Sequence, residues 1–199
     1  MSGTFPSSPA FSSLEVTSIQ PTFVSRTISG RRQARQIAGQ YFGMRASFPP
    51  MSRAEFAPID AFVMKQRGMY ETFQLILPVL STGLGSPAGT PLVKDASQTG
   101  RSVTTDGWTN DTQIFKAGDF VKFANHDKVY KITADVSSHA SAGTATLQIE
   151  PALITSPIDN SAITHTNVPF LVSLTSGVQE FATNASGLFS YELDFAEVL

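Results

Sequence analysis

The segment LFSYELDFAEV (188–198) constrains the fold more than any other part of the chain. Side chains alternate along a strand, so Phe189, Tyr191, Leu193 and Phe195 share one face, while Ser190, Glu192, Asp194 and Ala196 share the other. So large an apolar face on a terminal strand needs a sheet and a second layer to cover it.

The N-terminal part supplies matching material. In 41–48, Phe42, Met44, Ala46 and Phe48 alternate with Tyr41, Gly43, Arg45 and Ser47, the pattern of a half-buried strand. After Pro49 and Pro50, Ser52 and Glu55 have the spacing of a capping box. Met51 and Phe56 are placed as a hydrophobic staple, and Gly68 stands where a C-terminal cap belongs. These signals predict one helix, with Phe56, Ile59 and Val63 on its buried stripe and Phe62 at the margin. Pro58 removes a backbone hydrogen bond from that helix and predicts a kink or a distorted first turn. Residues 14–28, β-branched with Pro21 in the middle, predict an edge or bent strand; residues 70–77 predict another strand. The two ends, 1–85 and 167–199, are therefore expected to form one domain interrupted by 86–166.

Within the interruption, 81–113 is dominated by Gly, Ser, Thr, Pro, Asp and Asn and reads as a linker. DFVKF, KVYKITADV and TATLQIEPAL then predict a small antiparallel meander. VPFLVSLTSGVQEF, joined by ATNASG to the terminal segment, predicts a further strand.

Charge adds a clue. Residues 1–71 hold eight Lys/Arg against four Asp/Glu, a balance of +4, and 72–199 hold six against twelve, −6, which sum to the net −2. A basic part and an acidic part in one chain suit self-assembly through unlike patches. The chain has no cysteine, which excludes disulfides and Cys-ligated metal. No signal segment or long apolar run is apparent, so a protein made in the cytoplasm with no membrane partner is expected.

Motifs of catalysis are missing: there is no HExxH, GxSxG, phosphate-binding or calcium-binding loop. His126 with Asp119, Asp127 or Asp135 offers oxygen and nitrogen ligands, but at no recognised metal-site spacing, and His126, His139 and His165 read as solvated loop residues. GLGSPAG (83–89) reads as flexible linker. No enzyme activity and no cofactor are expected.

SGRRQARQIAGQ (29–40) concentrates Arg31, Arg32 and Arg35. As a helix bracketed by Gly30 and Gly39 it would present a basic face, but a segment of about eight residues is marginal alone. As a strand, Arg31, Gln33 and Arg35 share a face with Ile37, and Arg32 lies opposite. A sequence pI of about 5.9 weighs against a dedicated nucleic-acid binder. Arginine pairing within the fold or between subunits is therefore preferred to phosphate contact.

The run from Val24 to Leu75, a strand pair, a helix closing in Gly and an aromatic-centred strand, resembles the N-terminal region of tailed-bacteriophage distal tail (baseplate hub) proteins. FKAGDFVKFANHDKVYKITADVSSHASAGTATLQIEPAL resembles the small β-module inside such proteins, and the last 32 residues resemble their closing hairpin. The resemblance implies a mainly β fold: a tail-tube-like β-sandwich with one flanking α-helix and an inserted small antiparallel, barrel-like β-module. It implies a virion structural protein, a ring of copies, expected to be a hexamer. That ring would touch the tail tube protein and the hub, tip or baseplate proteins, with DNA passing through without specific binding. Under it, Arg31, Arg32, Arg35 and Arg45 are candidates for subunit contacts, and Glu180, Glu192 and Asp194 for the channel wall. A tail tube or tube-cap subunit is one alternative. Another is a glycan-binding tail module using Trp108, His126 and Tyr130.

Overall fold

A computed structural model describes residues 2–37 and 39–199. In chain order the elements are β1 (Ser13–Ile19), β2 (Thr22–Arg26), β3 (Arg32–Gln36), β4 (Tyr41–Ser47), α1 (Arg53–Lys65) and β5 (Phe73–Ile76). There follow β6 (Gly89–Val93), β7 (Ser102–Trp108), β8 (Gln113–Phe115), β9 (Phe120–Phe123), β10 (Val129–Ile132) and β11 (Val136–Ser137). The last are β12 (Ala145–Glu150), β13 (Ile163–Thr164), β14 (Pro169–Leu174), β15 (Phe181–Thr183) and β16 (Phe189–Glu197). The expected mainly β class with a single helix holds among the described residues. Contacts divide the chain into two compact units, Pro6–Phe73 with Val172–Val198 and Ser2, and Gln74–Leu171 with Gly3–Phe5 and Leu199.

The first unit is built on strands paired in the order β1-β4-β16-β14, with β15 also paired to β16. The alternation in β4 and β16 does what it predicted. Phe42, Met44, Ala46, Tyr191, Leu193 and Phe195 are all buried, with Phe195 opposite Met44 and Leu193 opposite Ala46. Onto this face α1 lays Phe56, Ile59 and Val63, each buried. Phe56 stacks on Phe189 at 4.6 Å and meets Tyr191 edge-on at 5.5 Å. Each fully buried ring or branched chain of this kind contributes about 2 kcal/mol through burial.

The N-terminus of the helix forms as its sequence dictates. The Ser52 N–H and Oγ–H both donate to Glu55 Oε2, at 2.9 and 2.8 Å, and these bonds hold the Glu55 carboxyl below its ordinary value. Pro58 does not break the helix, which runs unbroken from Arg53 to Lys65. Ala54 and Pro58 are exposed, so the Ala54 carbonyl that loses its helical donor can bond to water. At the other end the cap falls earlier than expected. Gln66 is the C-cap, and Arg67 is already left-handed, with φ 57°, before Gly68.

Two strand readings change. Pro21 divides residues 14–28 into β1 and β2, which belong to different sheets. The segment 168–181 holds two strands, because Gly177 and its polar neighbours interrupt the run between β14 and β15. The inward face of β16 ends in a polar residue: Glu197 is buried, and its Oε2 accepts the Phe42 N–H at 3.1 Å.

The second unit is a six-stranded sheet in the order β13-β9-β10-β12-β7-β6, with a separate β8/β11 pair. A bridge between Leu92 and Ala162 and a Val93 N–H bond to Ser161 O of 2.9 Å join its two ends, so the sheet curls closed. Val103, Phe115, Phe123, Tyr130, Leu147 and Ile149 are among the side chains filling it.

The linker reading of 81–113 is wrong: it holds β6 and β7. Thr105, counted as polar, is fully buried, with its Oγ1–H bonded to Ala145 O at 2.9 Å. GLGSPAG is not flexible linker either. A Cβ on Gly85 would stand 2.2 Å from Ile114 O, so backbone passes against backbone there.

Candidate assembly surface

The arginine-rich segment is neither helix nor covered strand. β2 and β3 form an isolated antiparallel hairpin with Phe23 opposite Arg35 and Arg26 opposite Arg32. The Gly30 N–H bonds Thr27 O at 2.9 Å, with φ +80° at Gly30, a conformation that glycine adopts without strain. Arg31, Arg32 and Arg35 are all exposed, as are Phe23, Val24, Ile28 and Ile37. The extended alternative is therefore the one adopted. Arg26, Phe23, Val24 and Ile28 were not singled out from the sequence; for Arg26 the signal is the absence of any carboxylate between Glu15 and Glu55.

Arg45 lies elsewhere, on the open face of the first unit's sheet. Glu15, Arg45 and Asp194 stand in one row across β1, β4 and β16. Arg45 Nε donates to Asp194 Oδ1 at 2.8 Å, with side chains 60% and 47% exposed. This hydrogen bond and the carboxylate charge raise the guanidinium above its ordinary value. A pair this exposed adds little stability. It does join one residue assigned to subunit contacts with one assigned to the channel wall.

The three acidic candidates come together. Glu180, Glu192 and Asp194 line one groove of about 590 Å³ with Val178, Gln179 and Phe181, formed by the 175–180 loop and the β15/β16 hairpin. Beneath it the Tyr191 hydroxyl is buried without a hydrogen-bond partner, and burial together with Asp60 pushes it up to about 12.

The sugar-binding candidates do not form a surface platform. Trp108, His126 and Tyr130 are 4%, 7% and 0% exposed, whereas stacking on a sugar needs an open ring face. Trp108 donates Nε1–H to Thr105 Oγ1 at 2.8 Å and meets Phe115 edge-on at 5.4 Å. His126 Nδ1 lies 2.9 Å from the Tyr130 hydroxyl, which also accepts the Ile154 N–H at 3.4 Å.

The histidines also differ from expectation, since only His139 is a solvated loop residue. His165 is half-buried against Trp108 and Phe115. Burial pushes both His126 and His165 down; for His126 the Ser156 backbone and the Asp127 charge partly oppose this.

The unfolded chain takes up these protons near the ordinary value while the folded chain resists them. Stability is thus greatest above about pH 6.5 and falls as pH drops below it. Urea unfolding midpoints of the whole chain are expected to fall from about pH 7.5 to about pH 5.5. His126→Phe should flatten that slope, and an unchanged slope would show that His126 does not titrate differently on folding.

No group of His, Asp and Glu suited to a metal occurs among the described residues. Asp119 is occupied by backbone donors: Leu84, Lys116 and Gly85 N–H reach its carboxylate at 2.8, 2.9 and 3.3 Å. Asp135 accepts the Ala117 N–H at 2.9 Å. No described helix is long and apolar enough to cross a membrane.

The family-model match falls on the second unit. Residues 81–168 match the family model described as distal tail protein pb9, B domain. The distal tail protein pb9 of Escherichia phage T5 is 26% identical over 128 residues, which is 64% of this chain and 63% of that protein. The match thus spans less than two thirds of that relative's length. A closed β unit lying where the pb9 B domain matches bears out the resemblance to phage distal tail proteins, and residues 81–168 are the part that matches the B domain.

Proposed function

We propose that the chain is a structural component of a phage virion, a distal tail ring that links the tail tube to the tip or baseplate. The B-domain match over residues 81–168 carries this reading. Two features of the first unit support the ring. β1 stands at the end of its sheet, and an unpaired edge is a template for a neighbouring strand. The hairpin and the acidic groove are unlike patches of the kind that a cyclic, head-to-tail interface uses.

Six copies would surround a channel through which DNA passes. A conducting wall should be poor in phosphate-binding cations, because each phosphate neutralised adds affinity and slows passage. The copies would assemble in the host cytoplasm, and the role needs neither a catalytic group nor a cofactor.

Gold-labelled antibody against residues 81–168, applied to virions that carry the chain, should mark one end of the tail where it meets the tip. Label along the whole tail would assign a tube subunit instead. Purified virions that lack the chain would end the proposal.

A further inference from the structure

Among the described residues the β2/β3 hairpin has no third strand beside it, and every residue of β3 is exposed. A two-stranded hairpin without a packed face is marginal in water. This one carries a further cost, because Arg26 and Arg32 stand directly opposite each other, a position in which like charges repel. Phe23 and Ile37 lie open beside Arg35. Such a surface calls for a partner that offers both carboxylates and apolar groups.

The same chain has that partner surface. Residues 20–40 hold four arginines and no carboxylate, +4, so the rest of the chain, −2 − 4, carries −6. The groove of Glu180, Glu192 and Asp194 also exposes Val178 and Phe181, so it offers the hairpin both kinds of contact. The Asp194 carboxylate is engaged there by its exposed pair with Arg45, a contact cheap to exchange.

We propose that the hairpin of one copy seats in the Glu180/Glu192/Asp194 groove of a second copy, forming a head-to-tail contact that repeats around the assembly. This rests on the ring reading above, and it takes these carboxylates from the channel wall to a subunit contact. The body's negative charge favours this occupant over DNA, which that charge would repel.

The test is a charge swap in the full chain, read by native mass spectrometry and sedimentation at several protein concentrations. Arg26→Glu with Arg32→Glu, and separately Glu180→Lys with Glu192→Lys, should each raise the concentration for half-assembly by about tenfold or more, since like charges then face each other. All four positions are exposed, so circular dichroism should be unchanged. The four-fold variant should assemble again.

Assembly unaffected by either reversal, or loss in both without rescue in the swap, overturns the proposal. So does a wild-type chain that stays monomeric, or one whose hairpin arginines matter only for binding a DNA duplex. Because the chain has no cysteine, Ile28→Cys and Val178→Cys give an independent reading. A bismaleimide should link the double variant into oligomers, whereas each single variant should yield dimers at most. Gold labelling at the tail end does not depend on this contact, so failure here leaves the proposed location standing, and failure there is seen separately.

Discussion

Trp108→Ala should lower the stability of the second unit by about 4 kcal/mol, through lost burial and the cavity left behind. For a unit of this size that is a fall of about 15 °C or more in its calorimetric midpoint. The indole is only 4% exposed and packs edge-on against Phe115. Its Nε1–H donates to Thr105 Oγ1, whose own proton bonds to Ala145 O, so the ring also fixes how β7 meets β12. Trp108→Phe keeps most of the apolar volume and loses the donor, so its cost should be less than half as large. A loss below about 1 kcal/mol for the alanine variant would be incompatible with an indole at the centre of this core.

Asp119→Ala should cost about 3 to 5 kcal/mol by a different route. The carboxylate is 4% exposed and gathers the Leu84, Gly85 and Lys116 N–H groups. Removing it leaves three donors without their shared acceptor, at a penalty of about 1 kcal/mol or more each. Asp119→Asn should fall between, because an amide oxygen can accept from some of these donors while its NH2 group opposes the others. Urea unfolding gives the energies, and hydrogen exchange gives the place. The amides of residues 84, 85 and 116 should lose protection first, and if those amides keep it, the carboxylate is not what holds the 83–89 loop.

These two residues also show where sequence patterning stops. The helix was legible because its signals are local, Ser52 and Glu55 three residues apart and an apolar stripe at helical spacing. β4 and β16 were legible because each buries one face and wets the other. β6 and β7 were not, since Thr105 and the glycines around it look like loop until Ala145, far along the chain, supplies a partner for the hydroxyl. Trp108, His126 and Tyr130 were candidates for a sugar through the resemblance to small tail β-modules, yet closure of the sheet turns their rings inward.

Glu197 takes its backbone donor, Phe42, from a distant segment, and Asp119 takes two of its three, Leu84 and Gly85, from another, which no local pattern reveals. The assembly surface was half legible. The arginines stood out by composition, and Glu180, Glu192 and Asp194 lie close enough in sequence to be grouped. That the arginines sit on an exposed hairpin, and that Arg45 is drawn to Asp194, depend on pairings across strands.

The pairing of β4 with β16 has a consequence for the order of folding. Arg45 and Asp194 meet although they are 149 residues apart, and closing so long a loop in a flexible chain is slow and entropically unfavourable. If Gln74–Leu171 folds first, that intervening length collapses into a compact body, and the remaining search is short. Synthesis from the N-terminus favours the same sequence of events, because β16 is made after residues 74–171. The register of β4 against β16 would then be set late, once the residues between them are already ordered.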